Sequence, residues 1–223
     1  MEVVKSKRNP DRSITQTIWV SNGESEEKRY STIYGGVSWP SATLPAYFSI
    51  LGEEYIEGID HSDEKKARGK LALLSEYQAT GLSLSTLFDK LIDDCILYGC
   101  NSIYSTINDA HEEFKLAFWD HTKKRKQWKL SLKSAPYADN FILGMSLLQD
   151  WQQRFDFPDD SILFKQLKSL TKESLNDSPE TKFNAINSLR FAVAAFESYP
   201  ETHKVYRVNT NYHLGSDNSW MGK

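Results

Sequence analysis

The chain has 223 residues, of which 39% are hydrophobic and 13% aromatic. That is enough apolar material for one folded domain with short appendages, and too much for a disordered chain. Its formal net charge of −3 gives no global attraction to polyanions, so any nucleic-acid contact has to come from a local basic patch.

No apolar run reaches the roughly 18 residues of a membrane-spanning helix, and residues 1–13 hold no apolar stretch of the kind a secretory leader needs. A cytoplasmic protein without a membrane partner is the expectation. Residues 1–12 are polar and basic and carry no element signal. The β-branched and aromatic run 14–20 predicts a strand, closed by the turn pair Asn22-Gly23. A second strand is predicted over 29–37, ending after Gly35-Gly36. The continuous apolar run 46–51 predicts a strand buried on both faces. Another strand follows over 71–77, with the charged segment 60–68 as a solvated loop between the two.

Ser83 or Ser85 caps a predicted helix over 86–98, with Leu87, Phe88, Leu91, Ile92 and Cys95 on its buried stripe. Gly99 stands where a C-terminal cap is expected. A strand over 101–107 and a short helix over 109–119 come next, the helix with Phe114, Ala117 and Phe118 inward. Lys123 to Lys126 read as a basic loop. Trp128, Leu130 and Leu132 then alternate with Lys129, Ser131 and Lys133, the period of a half-exposed strand. Helices are predicted over 138–155, with Phe141, Ile142, Met145, Leu148 and Trp151 buried, and over 162–170. The last helix starts at Ser178-Pro179 and stops at Tyr199-Pro200, with Phe183, Ile186, Leu189, Val193 and Phe196 along one face. Residues 201–223 read as a tail. Strands that first meander and then alternate with helices imply an α/β fold, a mixed sheet with helices on its faces. The two cysteines, Cys95 and Cys100, are expected to be reduced thiols, and no Cys/His cluster accompanies them to make a metal site.

Four segments carry a resemblance. Tyr34-Gly35-Gly36-Val37-Ser38-Trp39-Pro40, followed by Pro45 and the run 46–51, is similar to a strand motif of a glycine, a hydrophobic residue, an Asp and often Trp-Gly. Leu73-Leu74-Ser75-Glu76-Tyr77 with Thr80-Gly81-Leu82-Ser83 is similar to the next strand and its entry to a helix. Ser102-Ile103-Tyr104-Ser105-Thr106 is similar to a strand that normally ends in an acid. Asn184-Ala185-Ile186-Asn187-Ser188-Leu189-Arg190-Phe191-Ala192 is similar to a closing helix that usually reads His-Ala-Ile-Asp-Ala-Leu-Arg-Tyr-Ala. Spanning residues 34–196, these segments resemble the nuclease domain of viral and phage DNA-packaging terminase large subunits. The resemblance implies an RNase H-like mixed β-sheet flanked by helices over 34–200. An N-terminal extension with a β-hairpin would occupy 1–33, and a C-terminal tail 201–223.

In the resembled family acidic side chains hold two divalent ions about 4 Å apart to cleave DNA. The positions matching those acids are Ser38, Thr106 and Asn187, all neutral, and magnesium requires anionic oxygen ligands. No metal or other cofactor is therefore expected, and no cleavage. Two alternatives stay open: a shifted register could bring Glu76 or Asp109 to the site, or Asn187 could be an engineered change of an Asp, which leaves Ser38 and Thr106 unexplained. A phosphate loop G-x-x-x-x-G-K-[ST] is missing from the sequence, so no ATPase activity is expected. Lys123, Lys124, Arg125, Lys126, Lys129 and Lys133 form the densest basic cluster, interleaved with Trp128; they are candidates for sequence-independent contact with the backbone of duplex DNA, or else a solvated loop. The five histidines are scattered and read as surface residues. Arg190 is expected to pair with an acid such as Glu76 or to reach solvent along its stem.

The expectation is a terminase-nuclease-like domain without metal-dependent cleavage. It would act as a binding or assembly module in viral DNA packaging, in the host cytoplasm, with duplex DNA and a packaging ATPase or portal protein as partners. One alternative is an active endonuclease that cuts duplex DNA with two Mg or Mn ions. The other is an unrelated α/β interaction protein.

Overall fold

The computed structural model describes residues 2–7, 17–21, 27–54, 69–79, 84–108, 111–171 and 182–197. Its sheet is organised around β3 (Glu27–Ser38), twelve residues long. One side of β3 pairs antiparallel with β4 (Ala46–Glu54), which pairs antiparallel with β5 (Leu71–Ala79). The other side is shared. The first half of β3 pairs antiparallel with β2 (Thr17–Ser21), which pairs with β1 (Glu2–Lys7). Its second half, at Gly35 and Gly36, pairs parallel with β6 (Ser102–Ser105), which pairs parallel with β7 (Ser131–Ser134). The short β8 (Phe155–Asp156) lies parallel to the start of β5. A three-strand meander with two parallel strands beyond its first member makes the mixed sheet the resemblance implied.

Helices cover both faces. On one lie α1 (Leu84–Tyr98) and α2 (Glu112–Lys124); on the other lie α3 (Phe141–Trp151), α4 (Ile162–Ser169) and α5 (Asn184–Glu197). Strand β4 shows why its sequence is apolar without alternation. Ala46, Phe48 and Ile50 enter the core beneath α1 and α2, while Tyr47 and Leu51 enter the core beneath α3 to α5. Strand β5 carries a bulge: Ile50 pairs with Ser75 but Leu51 pairs with Leu73, so Leu74 is the extra residue. The bulge reverses the side-chain parity beyond it. Ser75 therefore reaches Asp94 on α1, and Glu76 is turned to the opposite face.

Helix α5 lies against the middle of the sheet. A Cβ at Gly36 would fall 1.9 Å from the Ser188 carbonyl oxygen, so only glycine permits this approach. The Ser188 hydroxyl donates to Gly36 O at 2.7 Å and lies 2.8 Å from the Ser49 hydroxyl. Every residue from 184 to 196 is buried, not the single face that periodicity predicted, because α3 and α4 cover the side turned away from the sheet.

Several boundaries move. Strand β1 was not anticipated, since Glu2, Lys5, Ser6 and Lys7 dilute its apolar pattern; what forms it is the backbone ladder with β2. The boundary expected at residue 33 falls inside β3. Helix α2 runs to Lys124 rather than 119, so Lys123 and Lys124 occupy its last turn and not a loop. Its buried stripe continues from Phe114 and Phe118 to Thr122, and Ala117 is exposed. Strand β7 begins only at Ser131, leaving Trp128 and Leu130 in the preceding turn. Helix α3 spans Phe141–Trp151 and gives way to a 3-10 turn and β8, and Ile142 is 56% exposed. Gly99 has φ 66, as its capping role requires. The turn at Asn22-Gly23, the segment 60–68, Ser83, Ser178-Pro179, Tyr199-Pro200 and the tail 201–223 lie outside the described residues. No helix among the described residues is long and apolar enough to cross a membrane.

Candidate functional site

Parallel neighbours β3 and β6 release their chains in different directions at their C-terminal ends, the kind of point where α/β sheets open a binding crevice. A cleft of about 330 Å³ lies there. Ser38, the last residue of β3, lines it, as do Thr106, just past β6, and Asn187 on α5. Residues far apart in sequence thus meet at one site. Two hydrogen bonds hold its floor. The Ser105 hydroxyl donates to Val37 O at 2.7 Å, tying the strand ends together. The Trp39 indole donates to Thr106 O at 3.1 Å and its ring stacks on Phe114 of α2, 5.3 Å between centroids.

Arg190, only 3% exposed, also lines the cleft. It neither pairs with Glu76 nor reaches solvent. Its guanidinium donates to Asn187 Oδ1 at 3.2 Å and to Ala138 O at 3.1 Å, and lies 4.4 Å from the Phe141 ring centroid. Gly144 makes the space, since a Cβ there would come 2.5 Å from Arg190 Nε. His111 and Asp139 are further lining residues. Burial lowers the His111 pKa below its usual 6.5, and the Asp139 carboxylate opposes that shift.

The two acids considered for a shifted register behave differently. Asp109 lies outside the described residues. Glu76 is not among the residues lining the cleft. Its carboxylate accepts the Tyr47 hydroxyl at 2.6 Å and the backbone N–H groups of Ile162 and Leu163 at 2.8 and 3.1 Å, and so caps the N-terminus of α4. Among the described residues of the cleft, Asp139 is the one carboxylate. Among the described residues, hydroxyls, the amides of Asn108 and Asn187, the His111 imidazole, a single carboxylate and a guanidinium bound to Asn187 do not supply the several anionic oxygens that a pair of divalent ions needs.

The basic cluster sits elsewhere. Helix α2 starts beside the cleft at His111 and carries the chain away for thirteen residues, about 20 Å at 1.5 Å per residue. Lys123, Lys124, Lys126 and Lys129 are exposed at that far end, and β7 brings the chain back past the exposed Lys133 towards the cleft. Arg125 is diverted to Asp89 at 3.3 Å and Asp93 at 2.6 Å. His121 and then Arg125 hold the Asp89 carboxyl below its usual range. Lys123 lies 5.1 Å from the Trp119 ring centroid and Lys133 lies 5.8 Å from that of Tyr104.

Sequence reasoning missed His111, Asp139 and the inward course of Arg190. Proximity of His111 to the strand end at Thr106 was the one available signal for it. Asp139 reaches the cleft because β7 pairs with β6, which no local pattern announces.

No protein-family model matches the chain, and no curated protein sequence does. Its structure is similar to that of the large terminase of a thermophilic bacteriophage, with a TM-score of 0.51 and 10% identity over 75% of this chain and 40% of that one. The large terminase nuclease of thermophilic phage G20c, solved with bound zinc, aligns with a TM-score of 0.45 and 12% identity over 89% of this chain and 94% of that one. The Fowlpox virus resolvase, solved with Holliday junction DNA, aligns with a TM-score of 0.39 and 9% identity over 75% of this chain and 98% of that one. The chain spans about 40% of the length of the large terminase it matches first. The fold is RNase H-like.

Proposed function

We propose that this chain is a terminase-nuclease-like module that does not cleave DNA and serves binding or assembly in viral DNA packaging. Duplex DNA and a packaging ATPase or portal protein are its proposed partners. The observation that supports this reading is the chemistry of the cleft. Ser38, Thr106 and Asn187, which resemble the positions of the family's acids, line one cleft, and the Arg190 guanidinium is hydrogen-bonded to Asn187. A cleft so furnished offers hydroxyl and amide hydrogen bonds but little negative charge with which to strip water from magnesium. Without the metals there is neither an activated water nor a stabilised leaving oxygen.

One observation favours a second reading, an active two-metal endonuclease: the Asp139 carboxylate lies in the cleft. A supercoiled-plasmid nicking assay with magnesium or manganese decides between the two. No nicking is expected from the native chain, and Ser38→Asp, Thr106→Asp and Asn187→Asp together are expected to create metal-dependent nicking. Nicking by the native chain that Asn187→Ala or Asp139→Asn abolishes would overturn the first reading in favour of the second.

A further inference from the structure

The turn between α2 and β7 carries an indole that the fold does not use. Trp128 is 68% exposed, the most exposed of the large apolar side chains among the described residues, and Trp119 on the outer side of α2 is 57% exposed. Residues 123–133 contain six cations and no acid, on a chain whose net charge is −3. Of these cations Arg125 alone is ion-paired among the described residues, and its pairs anchor the end of α2 to α1. Lys123 and Lys124, in the last turn, also complement the helix dipole. That explanation stops at the helix end, and Lys126, Lys129 and Trp128 lie beyond it. Lys126 is held at φ 56, a left-handed conformation that favours glycine. A charged side chain is kept there against the backbone preference.

The geometry points to a platform for unpaired, single-stranded nucleic acid at this end of the sheet: Trp128 stacks on an exposed base while Lys123, Lys124, Lys126 and Lys129 contact the flanking phosphates. A protruding indole has a face for a splayed base and none for a duplex, whose bases are stacked on one another. The lysines follow the strand by charge, without reading its sequence. This inference goes beyond the proposed function, which names duplex DNA, by giving this face a single strand as its ligand. It concerns a surface about 20 Å from the cleft by the rise of α2, so it does not depend on whether the cleft cleaves.

Fluorescence anisotropy of the full chain tests it, with a labelled oligothymidylate and a duplex, each of about 20 nucleotides per strand. The single strand is expected to bind more tightly. Trp128→Ala is expected to weaken strand binding about five- to a hundredfold with little effect on the duplex, and Trp128→Phe to restore most of the loss. Replacing the four lysines by serine is expected to weaken both forms and to flatten the log affinity against log salt plot by about 3. Unchanged strand affinity in Trp128→Ala overturns the platform, as does an equal loss for the duplex. Binding of neither form also overturns it and leaves this face to a protein partner. None of these outcomes alters the nicking result, which reads the cleft.

Discussion

Glu76 spends one carboxylate on three donors: the buried Tyr47 hydroxyl and two backbone N–H groups that open α4. Its surroundings differ from those of a metal ligand, and the difference traces to one extra residue, Leu74, in the ladder of β5. Glu76→Ala removes a helix cap, about 1 kcal/mol, and leaves a buried hydroxyl without its acceptor, about 1–3 kcal/mol. A loss of about 2–4 kcal/mol in urea unfolding is expected, and a loss below about 0.5 kcal/mol would contradict the capping role. Ser38, Thr106 and Asn187 could be grouped in the sequence because each stands in a segment that resembles a motif of one family, and the structure brings the three to one cleft. Asp139 and the burial of Arg190 were not, because they depend on a strand pairing and on the space left by Gly144.

Among the elements, α5 decides where the cleft can be. It rests on Gly36 so closely that its Ser188 carbonyl occupies the place of a side chain, and this contact sets Asn187 and Arg190 at the end of β3. Gly36→Ala puts a methyl group against backbone rather than against a side chain that can swing away. A cost of about 3 kcal/mol or more is expected, read as a lower denaturation midpoint. An unchanged midpoint would mean that α5 does not lie this close. The sequence announced α5 by its periodicity and by the resembled motif, yet showed only one apolar face. Asn184, Ser188 and Arg190 are buried because each finds oxygen or hydrogen partners that lie on other elements. Polar letters on a helix do not reveal that. The far end of α2 differs from its sequence pattern for a related reason. Its last turn is polar, and Thr122 holds the buried position where the pattern looks for an apolar residue.

Across the whole molecule, three groups on the sheet hold their protons to unusually high pH. Burial raises the pKa of Tyr30 to about 12 from 10.0 and raises that of Tyr47 as well, where Glu76 adds to the effect. Asp156, then Glu54, raise that of Lys28 against the opposing effect of burial. The sign is the same for all three. Above pH 10 the unfolded chain gives up these protons while the folded chain keeps them, so stability present below pH 10 declines as pH rises. Tyr30 alone contributes a loss of about 2 kcal/mol between pH 10 and pH 12. Thermal unfolding followed at pH 8, 10 and 11 checks this. The melting temperature is expected to fall gently from 8 to 10, where burial also holds the proton on the Cys95 thiol, and more steeply above 10, and a midpoint that does not fall above pH 10 would contradict the burial of these phenols.

Local patterning by itself determined the α/β class, most strands and helices from residue 29 onward, and the neutral side chains at the three motif positions. These depend on periodicity, caps and residue chemistry, all written within a few residues of one another. Tertiary structure alone decided which strands pair, which face Glu76 takes, how Arg190 enters the cleft, and that the lysine cluster lies at the other end of α2 from the cleft. Those outcomes follow from contacts between segments distant in sequence, where a single glycine or one extra residue in a ladder redirects everything packed against it.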